Sequence, residues 1–327
     1  MMPTAQRRLL FGLLALLSVS GVLFASATGS VHLGWHGWWQ ALADPGSEFG
    51  DLVWRLRLPR AAAAWTVGAL LSLSGCLMQV LLRNPLADPY ILGVSGGASF
   101  ATLLAMTVGL SAATLPGVAW AGALASILLV FGLARGEGPW SGTRLLLTGV
   151  VTASGWAALI SLLLTLGPDG SLRGMLFWLI GDLSYATLPA WAPILLAVVF
   201  AVCMGMARSL NVLAMGETTA RLLGEPTRKL LWGVYLLASI LTAAAVSIAG
   251  NIGFVGLIVP HLMRLLVGSD HRLLFPAAAM FGGLFLVLSD TLARTVLAPR
   301  QLPVGVVTAL LGVPLFLLLL NRARVRQ

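Results

Sequence analysis

Residues 231–249 read LWGVYLLASILTAAAVSIA, without a charged side chain, and residues 250–268 continue as GNIGFVGLIVPHLMRLLVG. Each run has the length of an apolar helix that crosses a bilayer, since about 20 residues span its hydrocarbon core. The second run is interrupted by glycines and by Pro260. Interrupted helices at membrane depth are tolerated only where they pack inside protein or line a cavity. This stretch therefore predicts a regular spanning helix followed by a broken one that belongs near a pathway.

The same pattern extends outward along the chain. Its 327 residues are 58% hydrophobic and 9% charged, whereas about a quarter of a soluble domain is charged. So few charged side chains cannot cover a water-exposed surface, so most of the surface must face lipid. The sequence predicts an all-α polytopic membrane protein, a single domain over residues 1–327 with about ten transmembrane helices. The predicted spans are residues 9–28, 61–82, 91–110, 116–134, 145–166, 190–207, 231–249, 253–268, 274–295 and 303–321.

The basic residues orient these helices. With the N-terminus inside, 14 of the 20 basic residues fall on inner segments and 6 on outer segments. Because basic residues favour the cytoplasmic side, both termini are predicted to be cytoplasmic. The first predicted span, residues 9–28, contains Ala25-Ser26-Ala27 near its end, which resembles the cleavage site of a signal peptide. The length of the apolar run favours an uncleaved first helix instead. The outer basic residues are Arg55, Arg57, Arg60, Arg173, Arg294 and Arg300.

The sequence contains no motif of catalytic chemistry. It has no G-x-x-x-x-G-K phosphate loop and no H-E-x-x-H pair, and Lys229 is its only lysine. Cys76 and Cys203 lie far apart in apolar runs, a pattern of buried hydrophobes rather than of a disulfide or metal site. No basic run with interleaved aromatics accompanies the net charge of +9. We therefore expect no catalytic residue, no metal site, no cofactor on this chain and no nucleic-acid partner.

A secondary transporter driven by an ion gradient is the alternative function. It would need ionisable groups at membrane depth. Asp88 lies between two prolines, as in a turn, and Asp290 precedes Arg294 by four residues, the spacing of a same-face ion pair. Charges that are paired or terminal in this way argue against a proton relay. The candidates are Asp88, Asp182, Asp290, His261 and Arg264.

Two connections are long enough to carry structure of their own. The outer connection, residues 29–59, contains Trp35, Trp38 and Trp39, which indicates an interfacial helix at headgroup depth. The inner connection, residues 208–229, reads RSLNVLAMGETTARLLGEPTRK. Its alternation of helix-forming and helix-breaking residues predicts two short helices separated by Gly224.

Three blocks of sequence, in order along the predicted spans, carry a family resemblance. The first is RLPRAAAA (57–64) with RNPLADPYILGVSGGASF (83–100), and the second is SLNVLAMGETTARLLG (209–224). The third is GNIGFVGLIVPHLMRLLVGSDHRLLFP (250–276), followed by SDTLAR and LPVGVVTALLGVPLF. Together they resemble the FecCD-type permeases of type II ABC importers, which import cobalamin, ferric siderophores and haem.

The resemblance implies the partners that the chain itself cannot replace. It implies a homodimer in the lipid bilayer of the bacterial inner (cytoplasmic) membrane, with an ABC ATPase dimer in the cytoplasm and a substrate-binding protein in the periplasm. ATP and Mg would bind at the partner ATPase. The implied function is import of a metal chelate by alternating access, and the choice among cobalamin, haem and ferric siderophore stays open.

The resemblance also implies a docking site for the binding protein. Arg57, Arg60 and Arg294 match the positions at which the family's permeases meet acidic residues of that protein. A cationic patch would steer an acidic partner and form bidentate pairs with its carboxylates. The other interpretation is that these arginines snorkel to the interface from helix ends.

Two inner sites follow in the same way. The connection 208–229 matches the family's coupling helices, which contact the ATPase, and its candidate residues are Glu217, Arg221 and Gly224. Glu217 and Arg221, four residues apart, form either such a contact or a surface ion pair.

The cytoplasmic gate of the family's cobalamin permeases corresponds to the turn Ser141, Gly142 and Thr143 that opens the fifth predicted helix. Those permeases carry a larger polar residue where Gly142 stands. The alternative is a plain helix start with Ser141 or Thr143 as N-cap.

Overall fold

A computed structural model describes residues 4–29, 31, 33–134, 142–184 and 186–324, with only the backbone of Thr4, Leu92, Gly142 and residues 319–324. The described residues are helical, with no β-strand. Seven helices are long and apolar enough to cross a membrane, and three shorter apolar helices accompany them. Every predicted span contains one of these helices, which confirms the all-α polytopic fold; the number of crossings and the side of the termini stay predictions.

The long helices are α1 (Thr4–Ala27), α3 (Leu58–Leu81), α5 (Leu115–Ala134), α6 (Gly142–Leu166), α8 (Trp191–Ala214), α10 (Thr227–Ala249) and α12 (His271–Thr295). The shorter apolar helices are α4 (Val94–Thr107), α11 (Val255–Val267) and α13 (Val304–Arg324). A π-helical turn, Leu52–Arg57, leads directly into α3. The remaining helices are α2 (Gly34–Ala43), α7 (Asp169–Ile180) and α9 (Glu217–Leu222), and 3-10 turns cover Pro89–Leu92 and Ala112–Thr114.

Two of the predicted spans, residues 91–110 and 253–268, contain short helices, and the second of them is the run that the sequence predicts to be broken. α4 has 14 residues and α11 has 13, so at about 1.5 Å per residue each is near 20 Å long and too short for the hydrocarbon core. Irregular backbone precedes both, and Pro260 lies inside α11. The two breaks touch, because the Tyr90 hydroxyl donates to the Ile252 carbonyl at 3.1 Å. Buried protein therefore surrounds the irregular backbone.

Helix α3 is the centre of the bundle and packs against α1, α10, α11 and α12. In its most apolar stretch 89% of the residues are buried, against 17% in α6. A Cβ atom at Gly75 would lie 1.8 Å from the Gly256 carbonyl oxygen, so only glycine lets α3 and α11 come this close. Small residues at crossings are typical of membrane helix bundles. The crowded α3 fixes the relative positions of the helix ends that form the sites below.

One end of the bundle, where α1 ends and α3 begins, is predicted from the basic residues to face outward and is called the outer end below; the opposite end is called the inner end. The described residues of the 29–59 connection fold back on α1 at the outer end. The expected helix in this connection is α2, and the Trp38 indole donates to the Ser26 hydroxyl at 3.0 Å. Trp35 and Trp39 are exposed. The placement of α2 at headgroup depth stays a prediction.

At the inner end, the prediction of two short helices around Gly224 is wrong. Helix α8 continues to Ala214, one short helix, α9, follows, and α10 begins at Thr227. Gly216 and Gly224 adopt φ angles of +120° and +81°, which favour glycine, and they interrupt the helical backbone before and after α9. Helix α7 was also missed, because its apolar residues are too few to indicate a span.

Candidate functional site

The outer arginine cluster consists of Arg57, Arg60, Arg294 and the carboxylate of Asp290. Arg60 Nε donates to Asp290 Oδ2 at 3.0 Å, and Arg60 Nη2 donates to Oδ1 at 2.8 Å. Two parallel bonds of this kind form the fork that arginine makes with a carboxylate. Arg60 Nη1 donates to Gln301 Oε1 at 2.9 Å. All three guanidinium nitrogen atoms of Arg60 therefore donate hydrogen bonds to side chains of the same chain.

Arg294 lies on the other side of the same carboxylate. Its Nε is 3.7 Å from Asp290 Oδ2, and its Nη2 donates to the Ala25 carbonyl. The ion pair predicted from the four-residue spacing is present, but the Asp290 pair with Arg60 is the tighter one. Sequence reasoning missed it, because 230 residues separate the two. The Asp290 side chain is 3% exposed, so the packing of α3 on α12 buries a charged cluster.

Arg57 has no carboxylate partner in the described part of the chain. Its Nη1 donates to the carbonyls of Ser26 and Ala27 at 3.2 and 2.9 Å, and its Nη2 donates to the Val31 carbonyl at 2.6 Å. The first two carbonyls are at the C-terminus of α1, which carries the negative end of the helix dipole. Arg57 therefore caps α1, with a formal charge that only backbone carbonyls offset.

The cluster faces a cavity of about 430 Å³ at the outer end of the bundle. Three arginines and one aspartate give the cluster a formal net charge of +2 (3 − 1). Arg57 is 5% exposed and Arg294 6%, so these guanidinium groups point into the protein and not toward the interface as snorkelling requires. An acidic group could reach them through the cavity, and their docking role stays a prediction. The other polar side chains of the wall are Arg55, Ser184, Thr187 and Gln301.

At the inner end, Glu217 of α9 bonds to two arginines of the same chain. It accepts a hydrogen bond from Arg221, and its Oε2 is 3.5 Å from Arg83 Nη2. Arg221 Nε also donates to Thr227 Oγ1 at 3.3 Å. The structure therefore shows the surface ion pair that the sequence left open, extended to the end of α3 and the start of α10. A contact of Glu217, Arg221 or Gly224 with an ATPase stays a prediction.

Two leucines of this region were missed by sequence reasoning. Leu222 is 84% exposed and Leu223 63% exposed, at the end of α9. Two adjacent, strongly exposed apolar side chains outside the spanning helices are candidates for a contact surface. The signal was a pair of leucines between charged residues, in the stretch ETTARLLGE.

Hydrogen bonds of the Asn211 side chain, called the Asn211 clasp below, link the last turn of α8 to the start of α12. Asn211 Nδ2 donates to Asp270 Oδ1 at 2.7 Å, and the His271 N–H donates to Asn211 Oδ1 at 2.9 Å. Asp270 also caps α12 through the Arg272 N–H. Burial alone raises the pKa of Asp270, but the hydrogen bonds from Asn211 and Arg272 outweigh it and lower the pKa below its ordinary value. These bonds therefore hold the inner connection, residues 208–229, against the start of α12.

The predicted gate turn is only partly visible. Ser141 lies outside the described residues, Gly142 is the first residue of α6, and Thr143 is exposed on its first turn. Within the described residues they do not join either cluster, and their role as a gate stays a prediction.

The candidate carboxylates of an ion-coupled carrier are engaged in local structure. Asp88 Oδ1 accepts from the Tyr90 N–H at 2.8 Å, which is the predicted cap. Asp182 Oδ1 accepts from the Ser184 N–H and hydroxyl at 2.9 and 2.7 Å. Arg264 donates to Gln79, and among the described residues no three His, Cys, Asp or Glu side chains gather around a metal-sized site. This arrangement provides no chain of free carboxylates.

The chain is similar over its whole length to known membrane permeases. The FecCD transport family matches residues 14–322. The hemin transport system permease protein HmuU of Yersinia pestis is 38% identical, over 98% of this chain and 97% of that protein. The vitamin B12 import system permease protein BtuC of Citrobacter koseri is 40% identical, over 88% of each chain.

A solved structure agrees with the sequence comparison. An inward-facing ABC transporter of the metal-chelate type superposes with a TM-score of 0.83 at 31% identity, covering 96% of this chain and 99% of the other. The fold and the sequence therefore point to the same group of proteins. The chain is a multi-pass membrane protein that belongs to the FecCD transport family.

Proposed function

We propose that this chain is the permease subunit of an ATP-driven importer that carries a metal chelate from the periplasm to the cytoplasm by alternating access. The observation that supports the proposal is that the outer arginine cluster and the α9 region lie at opposite ends of the same helices. Helix α3 begins beside Arg60 and ends beside Arg83, and α12 begins at the Asn211 clasp and ends at Arg294. A subunit that joins an outer partner to an inner one needs this arrangement.

The cargo class rests on the relatives. Hemin and vitamin B12 are named for two of them, and a metal-chelate type transporter has the same fold. Hemin and vitamin B12 are both bulky metal chelates, and this chain is proposed to carry a compound of the same class. Gly142 and Thr143 at the start of α6, with the preceding Ser141, are proposed as its cytoplasmic gate.

The partners complete the proposal. The sequence has no phosphate loop, so ATP and Mg would bind to a cytoplasmic ABC ATPase that contacts α9. The weakly buried α6 supports a surface shared between lipid and a second copy of the chain, and we place the homodimer in the bacterial inner membrane. The outer arginine cluster would receive acidic groups of a periplasmic binding protein.

Uptake of labelled compounds tests the function and names the cargo. Cells that lack their own permeases would express this chain with its ATPase and binding protein, and receive labelled cobalamin, haem or a ferric siderophore. We expect uptake of one compound, which disappears with an ATPase-dead partner. Uptake that persists without ATP hydrolysis, and stops when an ionophore removes the ion gradient, would instead support the secondary transporter.

A further inference from the structure

Asp290 is the only carboxylate that the structure shows bonded to the outer arginine cluster within the described residues, and it contacts two of the three arginines. It accepts two hydrogen bonds from Arg60 and lies 3.7 Å from Arg294 Nε. Each of those guanidinium groups has a second anchor, which is Gln301 for Arg60 and the Ala25 carbonyl for Arg294. Both arginines are therefore immobilised before any partner arrives.

Immobilisation matters because a free arginine side chain samples many rotamers. Ordering such a side chain during association opposes binding, whereas a side chain that is ordered beforehand has already lost that freedom. The planar guanidinium also needs a defined orientation to meet a carboxylate with two bonds. A buried group that fixes this orientation acts on binding without touching the partner.

We propose that Asp290 is a positioning residue for docking, which holds Arg60 and Arg294 in the cavity wall in the orientation that receives an acidic side chain of the periplasmic binding protein. The inference rests on the proposed function, because it requires that partner. Arg57 needs no such residue, since the carbonyls at the end of α1 hold it.

Two effects of Asp290 on docking have opposite signs, which makes the role measurable. Its negative charge reduces the formal charge of the cluster from +3 to +2, which weakens the long-range attraction for an acidic partner. Its hydrogen bonds hold the arginines in place, which strengthens the complex once formed. Charge governs mainly the association rate, and short-range contacts govern mainly the dissociation rate.

Asp290→Asn changes both effects while keeping the shape, because it removes the charge and replaces one acceptor oxygen of Arg60 by an amide NH2 that cannot accept a hydrogen bond. The association and dissociation rates then report the two effects separately. The permease in lipid nanodiscs with its ATPase would be immobilised, and the binding protein from the uptake assay would flow over it at low and high salt. We expect dissociation about tenfold faster, with association unchanged or faster at low salt. Asp290→Glu, which keeps the charge, should return the dissociation rate to within about threefold of the unmodified protein.

Glu48→Gln is the matched control. Glu48 is an exposed carboxylate of the same 29–59 connection and does not line the cavity, and the substitution makes the same change of charge. It leaves the cluster and the cavity wall intact, so the dissociation rate should not change. A residue with only a structural role would lower the amount of folded permease and leave the rate constants of the folded fraction unchanged.

Gln301→Leu keeps the test decisive if Asp290→Asn does not fold. It removes one anchor of Arg60 and leaves every charge in place, and we expect dissociation about two- to threefold faster. Unchanged dissociation in every variant that folds would overturn the positioning role while docking through arginines stands. Unchanged affinity after Arg57→Glu with Arg60→Glu would show instead that the docking site itself was wrongly placed.

Discussion

The two ends of the bundle contain the same motif in different surroundings: one carboxylate between two arginines. At the outer end, Asp290 is 3% exposed and Arg60 and Arg294 are 11% and 7% exposed. At the inner end, Glu217 is 23% exposed, and Arg221 and Arg83 are 59% and 46% exposed. Water screens the inner charges and not the outer ones. The same three groups therefore fix a geometry at one end and form an exchangeable surface pair at the other.

The stability of the protein should show this difference most strongly. Asp290→Ala leaves two buried guanidinium groups without their counter-charge, and we expect a loss of about 3–5 kcal/mol in the free energy of unfolding. Glu217→Ala removes a largely hydrated pair, and the loss should stay within about 1 kcal/mol. Denaturant titration of the purified permease in one detergent measures both. Equal losses would mean that burial does not distinguish the two ends.

The affinity for the binding protein should show the next largest effect. Arg57→Glu with Arg60→Glu reverses two cationic groups of the outer cluster, and we expect the affinity for the binding protein to fall roughly a thousandfold. Surface plasmon resonance with the permease in nanodiscs measures the dissociation constant. Arg173→Glu with Arg300→Glu makes the same change of charge at exposed outer positions and should cost about tenfold at most. Unchanged affinity of the first double variant would contradict docking at the cluster.

The sequence predicted the helices better than the contacts between them. Ten apolar runs contain the ten apolar helices, because an apolar run about 20 residues long has few alternatives to a helix. The break before α11 was visible in the glycines of residues 250–256, whereas Pro260, which the sequence also predicted as an interruption, lies inside the continuous helix α11. The inner connection was predicted wrongly, because propensity alone does not show that α8 continues to Ala214. Local pattern therefore reaches as far as single helices.

The candidate site was predicted in part for the same reason. The spacing of Asp290 and Arg294 indicated their ion pair, since i and i+4 share a helix face. The bond from Arg60 to Asp290, which joins α3 to α12, leaves no periodic signal in the sequence. The Asn211 clasp joins α8 to α12 and was missed likewise. Contacts between distant segments depend on how the helices pack around α3.

At the inner end, assembly with the ATPase should depend more on the exposed leucines of α9 than on the charged side chains. Leu222→Ser with Leu223→Ser removes exposed apolar surface from α9, and burial of each leucine against a partner stabilises a complex by about 1.5 kcal/mol, or about 3 kcal/mol for both. We expect roughly hundredfold weaker assembly with the ATPase, measured by co-purification and titration in nanodiscs. Val108→Ser with Leu110→Ser, exposed at the outer end, should leave assembly unchanged. Full assembly of the α9 variant would move the ATPase contact elsewhere.

Glu217→Gln should give the smallest effect and is the sharpest test of the comparison. The amide keeps a hydrogen-bond acceptor for Arg221 and removes the charge that Arg83 faces at 3.5 Å. If the inner motif is a hydrated surface pair, stability should change by less than about 0.5 kcal/mol and uptake by no more than about twofold, with the difference vanishing at high salt. Loss of uptake in a folded complex with normal ATPase assembly would contradict this. Glu217 would then act on the partner itself, and the partly buried carboxylate at the inner end, as well as the buried one at the outer end, would be part of a functional contact.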